Sequence, residues 1–210
     1  MSVAWHTAAV KTAADLFTKE LIVGGTAPLS ANVIFPNAMN SLLGTKFKIV
    51  TGYTTTATIA AAMERGEVEG TGSWHYSSIV AAKPDWLKDG KINLLIQLSL
   101  KRHPDVPNVP TVLELAKSDE DRQVIELFSA QKTIARPVMA GPNVPPERRA
   151  ALRRAFVDMA ADEQFKADAE KGKLEVDPMP GDAVEKVIEL IATTPRDVAD
   201  RFGAAVNPKK

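Results

Sequence analysis

The chain has 210 residues, 45% of them hydrophobic and 25% charged, with 26 basic against 26 acidic side chains and no cysteine. That length holds one domain or two small ones with enough apolar surface for a core, and the balanced charge offers no footprint for nucleic acid or a membrane surface. Without cysteine there is no thiolate chemistry, cysteine-ligated metal or disulfide, and no apolar run approaches the roughly 18–20 residues of a membrane span.

The opening "MSVAWHTAAVK" lacks the basic start and apolar core of an export signal. "SVAW" reads as a strand that begins abruptly, so either the domain starts tightly or a segment precedes it. Thr12 and Asp15 make a T-x-x-D capping pattern that opens a short helix to about Lys19. "ELIVGG" is a strand with its turn, and Val33, Phe35, Met39, Leu42 and Leu43 predict a helix from Ser30 to Gly44, kinked or restarted near Phe35 by Pro36. "KFKIVTGY" is a second strand and loop, "TATIAAAMERGEVEG" a second helix closed by Gly66, and "VEGTGSW" a third short strand. "SSIVAAKPDWLKDG" is a helical connection broken by Pro84. "KINLLIQLSL" is the longest apolar run, the pattern of a central strand covered on both faces.

Prolines 104, 107 and 110 then enforce a loop, because each lacks an N–H and restricts its neighbour. Thr111 with Glu114 starts a short helix, and "SDEDRQVIELFSA" another, with acidic residues in the first turn where the helix dipole favours them. "TIARPVMAGPNVPP" is extended and runs into a turn. From Pro146 on the pattern is helical, with stripes at Leu152, Phe156, Met159 and at Val184, Val187, Ile188, Ile191. "GKLEVDPM" between them is a candidate strand. The whole reads as α/β, strand-rich first and strand-poor last.

Three strand-to-helix junctions carry the candidate chemistry. "GGTAPLSAN" places Gly25, Thr26, Ala27 and Ser30 before a helix whose first N–H groups lack partners and carry partial positive charge, a setting that binds carboxylate or phosphate. The plain alternative is a βα turn capped by Ser30. "VTGYTTTATI" repeats the arrangement: Tyr53 is a pocket wall or a core residue, and Thr55 and Thr56 are ligand groups or caps. At the third, Ser73 and Trp74 end a short strand, where Trp74 either closes over a ligand's carbon skeleton or fills the core. Neighbouring parallel strands with such loops at one sheet edge aim both helices at a single crevice.

Catalytic patterns are missing: the three histidines, His6, His75 and His103, have no metal-ligand spacing, and no GxSxG, P-loop or GxGxxG occurs. Glu64, Glu67 and Glu69 read as a solvated helix end.

The succession "LLGTKFKIVTGY", "AMERGEVEG", "PDWLKDGKINLLIQLSL", "RHPDVPNVPTVLELA" and "MAGPNVPPERRAALRRAF" resembles the periplasmic substrate receptors of tripartite tricarboxylate transporters, over nearly the whole chain. The resemblance implies a type II periplasmic-binding-protein fold, two α/β lobes around a cleft that closes on a small organic carboxylate. Residues 1–128 would be one complete lobe, and 129–210 a partial, mainly helical piece of the other, the family's remaining strands lying upstream of Met1. The ligand loops then fall on Gly25, Thr26, Ala27 and Ser30, on Tyr53, Thr55 and Thr56, and on Ser73 and Trp74. The chain departs from the family where Thr55-Thr56 replaces a Gly-Gly pair, and where Pro28 and Leu29 replace small residues. The resemblance further implies no catalysis, no cofactor or metal, a periplasmic location although no signal is visible, and membrane transporter subunits as partners. Self-association through uncovered helices of the partial lobe is the competing expectation.

Overall fold

The computed structural model describes residues 1–134, 137–172, 174 and 176–207. Its strands are β1 (Ser2–Trp5), β2 (Leu21–Gly25), β3 (Phe47–Thr51), β4 (Gly70–Thr71) and β5 (Ile92–Ile96). Its helices are α1 (Ala31–Leu43), α2 (Thr56–Glu64), α3 (Tyr76–Ala82), α4 (Pro84–Lys88), α5 (Asp119–Thr133), α6 (Pro146–Ala161), α7 (Glu163–Lys171), α8 (Gly181–Ala192) and α9 (Arg196–Val206). The chain divides into two units: Met1–Ala130 together with the chain from Thr194 on, and Gln131–Thr193.

The first unit is built on one mixed sheet in the order β3-β2-β4-β1-β5. β2 pairs in parallel with β3 and β4, whereas β1 runs antiparallel to both its neighbours, β4 and β5. Consecutive strand residues point to opposite faces. A Cβ on Gly24 would meet Ile59 of α2 at 2.7 Å, and one on Gly25 would meet Val33 of α1 at 2.6 Å. The two helices therefore cover opposite faces of the sheet, and the two glycines let each approach its strand closely.

On the α2 face Ile59, Met63, Ile79, Trp86 and Val3 form one buried cluster. On the α1 face Phe35 meets Phe128 of α5 at 5.0 Å between ring centroids, and Phe128 stacks on Phe202 of α9 at 6.5 Å. The C-terminal helix thus packs on α1, where Asn37 Nδ2 also donates to the Val206 carbonyl at 3.4 Å.

Several expectations take a different form. "KINLLIQLSL" supplies β5, an edge strand and not a central one, because β1 inserts between it and β4. Its apolar content reflects a cover on the outer side: Gln97, 1% exposed, bridges to Thr111 and ties down the proline loop. Gln97 Nε2 donates to the Val106 and Val109 carbonyls at 3.0 and 2.7 Å, and Gln97 Oε1 accepts from the His103 N–H at 2.8 Å. α1 passes through Pro36 as one helix; the ring packs where a Gly72 Cβ would stand, 2.6 Å away. The T-x-x-D pattern at Thr12 and Asp15 caps a 3-10 turn, Ala14–Phe17, not a full helix.

The second unit contains α6, α7 and α8. Asp162 caps α7 by accepting the Phe165 N–H at 2.8 Å, and α6 contacts α7. Part of the candidate strand "GKLEVDPM" lies outside the described residues, as does part of "TIARPVMAGPNVPP"; Leu174 and residues 176–180 form no strand. α8 has no buried residue despite its apolar stripe, and Leu152, Met159, Ile188 and Leu190 are exposed. No helix among the described residues is long and apolar enough to cross a membrane.

Candidate functional site

β2 ends at Gly25 and the chain turns at once into α1. Ala27–Ser30 forms a tight turn, with the Ser30 N–H donating to the Ala27 carbonyl at 2.9 Å. Pro28 and Leu29 occupy its two central positions, and the fixed φ of proline suits the first of them. Leu29 is 84% exposed, so its bulk projects into solvent.

Asn32 organises the loop. Its Oδ1 accepts the Thr26 N–H at 3.0 Å and the Thr26 hydroxyl at 3.2 Å, and lies 2.5 Å from the Ser30 hydroxyl, whose one proton is shared with the Ala27 carbonyl at 2.6 Å. Ser30 is the N-cap of α1 by backbone position, yet its hydroxyl makes no capping bond to the helix. The Val33 and Ile34 N–H groups close onto the Ser30 carbonyl at 2.9 Å each. The N–H groups of Ala31 and Asn32, the first two of the helix, have no partner among the described residues.

α2 starts beside this loop because β3 is parallel to β2 and ends level with it, Thr51 pairing with Gly25. Thr55 and Thr58 form a reciprocal capping box: Thr55 Oγ1 accepts the Thr58 N–H at 3.2 Å and Thr58 Oγ1 accepts the Thr55 N–H at 3.1 Å. The N–H groups of Thr56 and Ala57 are again left over.

These elements border a cleft of about 590 Å³ that lies wholly in the first unit, a size suited to a small solute. Thr26, Ser30, Asn32, Thr56 and Ser73 line one part, with Trp74 as a wall. Ala57, Ala60 and Ala61 of α2 and Ala82 of α3 make a narrow apolar surface, and His75, Ser78 and Lys83 complete the lining. No lining residue is acidic. Lys83 Nζ pairs with Glu64 at 2.7 Å and sits 4.9 Å from the centre of the Trp86 ring.

Of the nine residues singled out from sequence, Thr26, Ser30, Thr56, Ser73 and Trp74 line this cleft. Gly25 is buried at the end of β2, and Ala27 takes part in the turn. Tyr53 packs against the apolar cluster, and Thr55 spends its side chain on the cap. Asn32, His75 and Lys83 were missed. The asparagine carried the clearest signal, a polar residue in the first turn of a helix, directly before the apolar run Val33–Phe35.

A second cavity of about 380 Å³ lies in the other unit among Phe156, Val157, Ala160, Pro178 and Pro180, with Lys166 at its edge. It is almost wholly apolar and offers no convergent donors. No cluster of three or more metal-ligating side chains occurs among the described residues.

The mixed sheet with helices on both faces makes this an α/β fold with its cleft at the ends of parallel strands. Two solved structures are similar to it. One is Rpa4515 of R. palustris with adipate: TM-score 0.59, 20% identity, covering 96% of this chain and 64% of that one. The other is a TctC solute-binding protein from Polaromonas without ligand: TM-score 0.58, 18% identity, with the same coverage of 96% and 64%. The chain therefore spans 64% of the length of these proteins, and at such identities the likeness establishes the fold. No protein-family model and no curated protein matches the chain.

Proposed function

We propose that the chain is a non-catalytic solute receptor polypeptide that binds a small organic carboxylate in the cleft of its first unit. One observation carries the reading: the unpartnered N–H groups of Ala31, Asn32, Thr56 and Ala57, from two helix N-termini, border a cleft with no acidic lining. Such donors stabilise an anion through charge-assisted hydrogen bonds and the helix dipoles. The hydroxyls of Thr26, Ser30, Thr56 and Ser73 add donors, the alanine surface accepts a methylene skeleton, and Lys83 offers a second cationic contact. The adipate bound by Rpa4515 supports a linear dicarboxylate as the first candidate.

In this reading residues 1–128 are a complete receptor lobe and 129–210 belong to the other, α9 being the part that packs back on α1. Gly25, Ala27, Tyr53 and Thr55 support the site from behind. The receptor works in the periplasm with the membrane subunits of an uptake system. Calorimetric and thermal-shift titration with succinate, glutarate, adipate and citrate tests it. Saturable binding of at least one supports the reading, and no response to any of them removes it.

The exposed apolar residues of the second unit favour a further role, association between copies of this chain. That role is checked separately by light scattering and does not depend on solute binding.

A further inference from the structure

Asn32 is 5% exposed and borders the cleft. Its two amide ends have opposite fates. The Thr26 N–H can only donate, so the atom it meets at 3.0 Å has to be the carbonyl oxygen; the Thr26 hydroxyl reaches that same atom at 3.2 Å, and the Ser30 hydroxyl lies 2.5 Å from it while sharing its one proton with the Ala27 carbonyl at 2.6 Å. This fixes the orientation of an amide that could otherwise be flipped. Nδ2 is left on the other side with two N–H donors and no hydrogen-bond partner among the described residues, although the side chain is almost fully buried. This NH2 group is not among the buried polar atoms sealed from solvent, so in a mostly buried side chain that lines the cleft it remains reachable by a solute.

We propose that Asn32 contacts the solute directly and sets its specificity: Nδ2 donates to a carboxylate oxygen, and the donors gathered on Oδ1 hold it in place to do so. This rests on the reading of the cleft as a carboxylate site. It goes beyond helix N–H binding because the two depend on different atoms. Backbone donors survive any side-chain change, whereas the Asn32 contribution can be reversed in sign by exchanging one NH2 for one oxygen. Near Asn32 the cleft presents donors and no carboxylate acceptor. It therefore demands an acceptor on the ligand and rejects a terminal ammonium, which would bring donors against donors.

Asn32→Asp separates the two jobs of this side chain. It retains an oxygen for the Thr26 N–H and both hydroxyls, so the loop keeps its support. It also puts a negative oxygen where Nδ2 stood, against the incoming carboxylate. Adipate is the probe. The expected result is an affinity for adipate at least about tenfold weaker than that of the unmodified chain, with the ligand-free melting temperature little changed. Asn32→Ala is expected to lower both. If Asn32→Asp binds adipate within about twofold of the unmodified chain, Asn32 is only a brace for the loop and the proposal is overturned, with the carboxylate reading left standing.

Should the aspartate variant fail to fold, the unmodified chain still decides. The side-chain 15NH2 signals of Asn32 are expected to shift and gain exchange protection as adipate saturates. Saturation without a change in those signals overturns the proposal. If none of succinate, glutarate, adipate or citrate binds the unmodified chain, the carboxylate reading falls and this inference falls with it.

Discussion

At the scale of single residues, close approach of backbones sets the least tolerant positions. A Cβ on Gly70 would stand 2.2 Å from the Val3 carbonyl oxygen, a backbone atom that cannot rotate aside, whereas a Cβ on Gly25 would press on the Val33 side chain. Gly70→Ala is therefore expected to cost about 3 kcal/mol or more and Gly25→Ala less, as read by denaturant titration. Glu114 provides a pH handle. Its carboxylate accepts from Arg102 Nε at 2.9 Å and from the Thr111 N–H at 3.2 Å, and these contacts hold its pKa down at about 2 from 4.5. A carboxyl depressed on folding contributes above its unfolded value and loses that contribution as pH falls through its folded one. The stability difference between the unmodified chain and Glu114→Gln is thus expected to be full above about pH 4.5 and to shrink towards pH 2 in thermal melts. Thr111 with Glu114 was legible as a capping pair in the sequence. The Arg102 partner, twelve residues away and across a proline loop, was not.

At the scale of elements, a single buried amide holds the loop that covers β5. Gln97→Ala would take the side-chain partner from the Val109 carbonyl and the His103 N–H and leave the Val106 carbonyl with only the Val109 N–H at 3.2 Å, with an expected cost of about 2 kcal/mol. Hydrogen exchange should then rise across residues 103–110 before it rises in β2. The run "KINLLIQLSL" suggested burial on both sides. That inference missed the edge position because a covering loop shields a strand as effectively as a neighbouring strand does. At the cleft, Lys83 is partly neutralised by Glu64, which sits on α2 one turn beyond the lining alanines. Glu64→Gln leaves the Lys83 charge to the solute, so dicarboxylate binding is expected to tighten by a few-fold, more at low salt than at high, in calorimetry. The sequence suggested Glu64 as a solvated helix end. Its pairing with a cleft lysine nineteen positions away is a product of α2 lying beside α3.

At the scale of the whole molecule, two behaviours are expected. A solute at about one hundred times its Kd adds about 2.7 kcal/mol to the unit that binds it. For a unit of this size that is a rise in melting temperature of about 5–10 °C. The second concerns α8, whose apolar stripe is half-buried at Val184, Val187 and Ile191 and open at Ile188, 51% exposed, beside an exposed Leu190. Light scattering at tens of micromolar is expected to report a mass above that of one chain, and Ile188→Glu to return it towards the monomer. A strict monomer before substitution would count against association.

Local chemistry by itself determined the α/β class, the strand β2, the helix α1 and the three hydroxyl-bearing junctions. Hydrophobic period, caps and turn residues act within a few positions of one another, and one sequence displays them directly. Only the tertiary structure decided which of those hydroxyls face a common cleft. The parallel pairing of β2 with β3 sets the starts of α1 and α2 side by side, and the capping box turns Thr55 away while leaving Thr56 at the rim. It also separated the roles within "GGTAPLSAN". Pro28 and Leu29 look obstructive in a written loop, but the turn carries Leu29 out to solvent. Asn32, which the sequence marks only as a polar residue at the start of a helix, becomes the hub, because the Thr26 N–H and the hydroxyls of Thr26 and Ser30 gather at one oxygen only once strand, turn and helix have met.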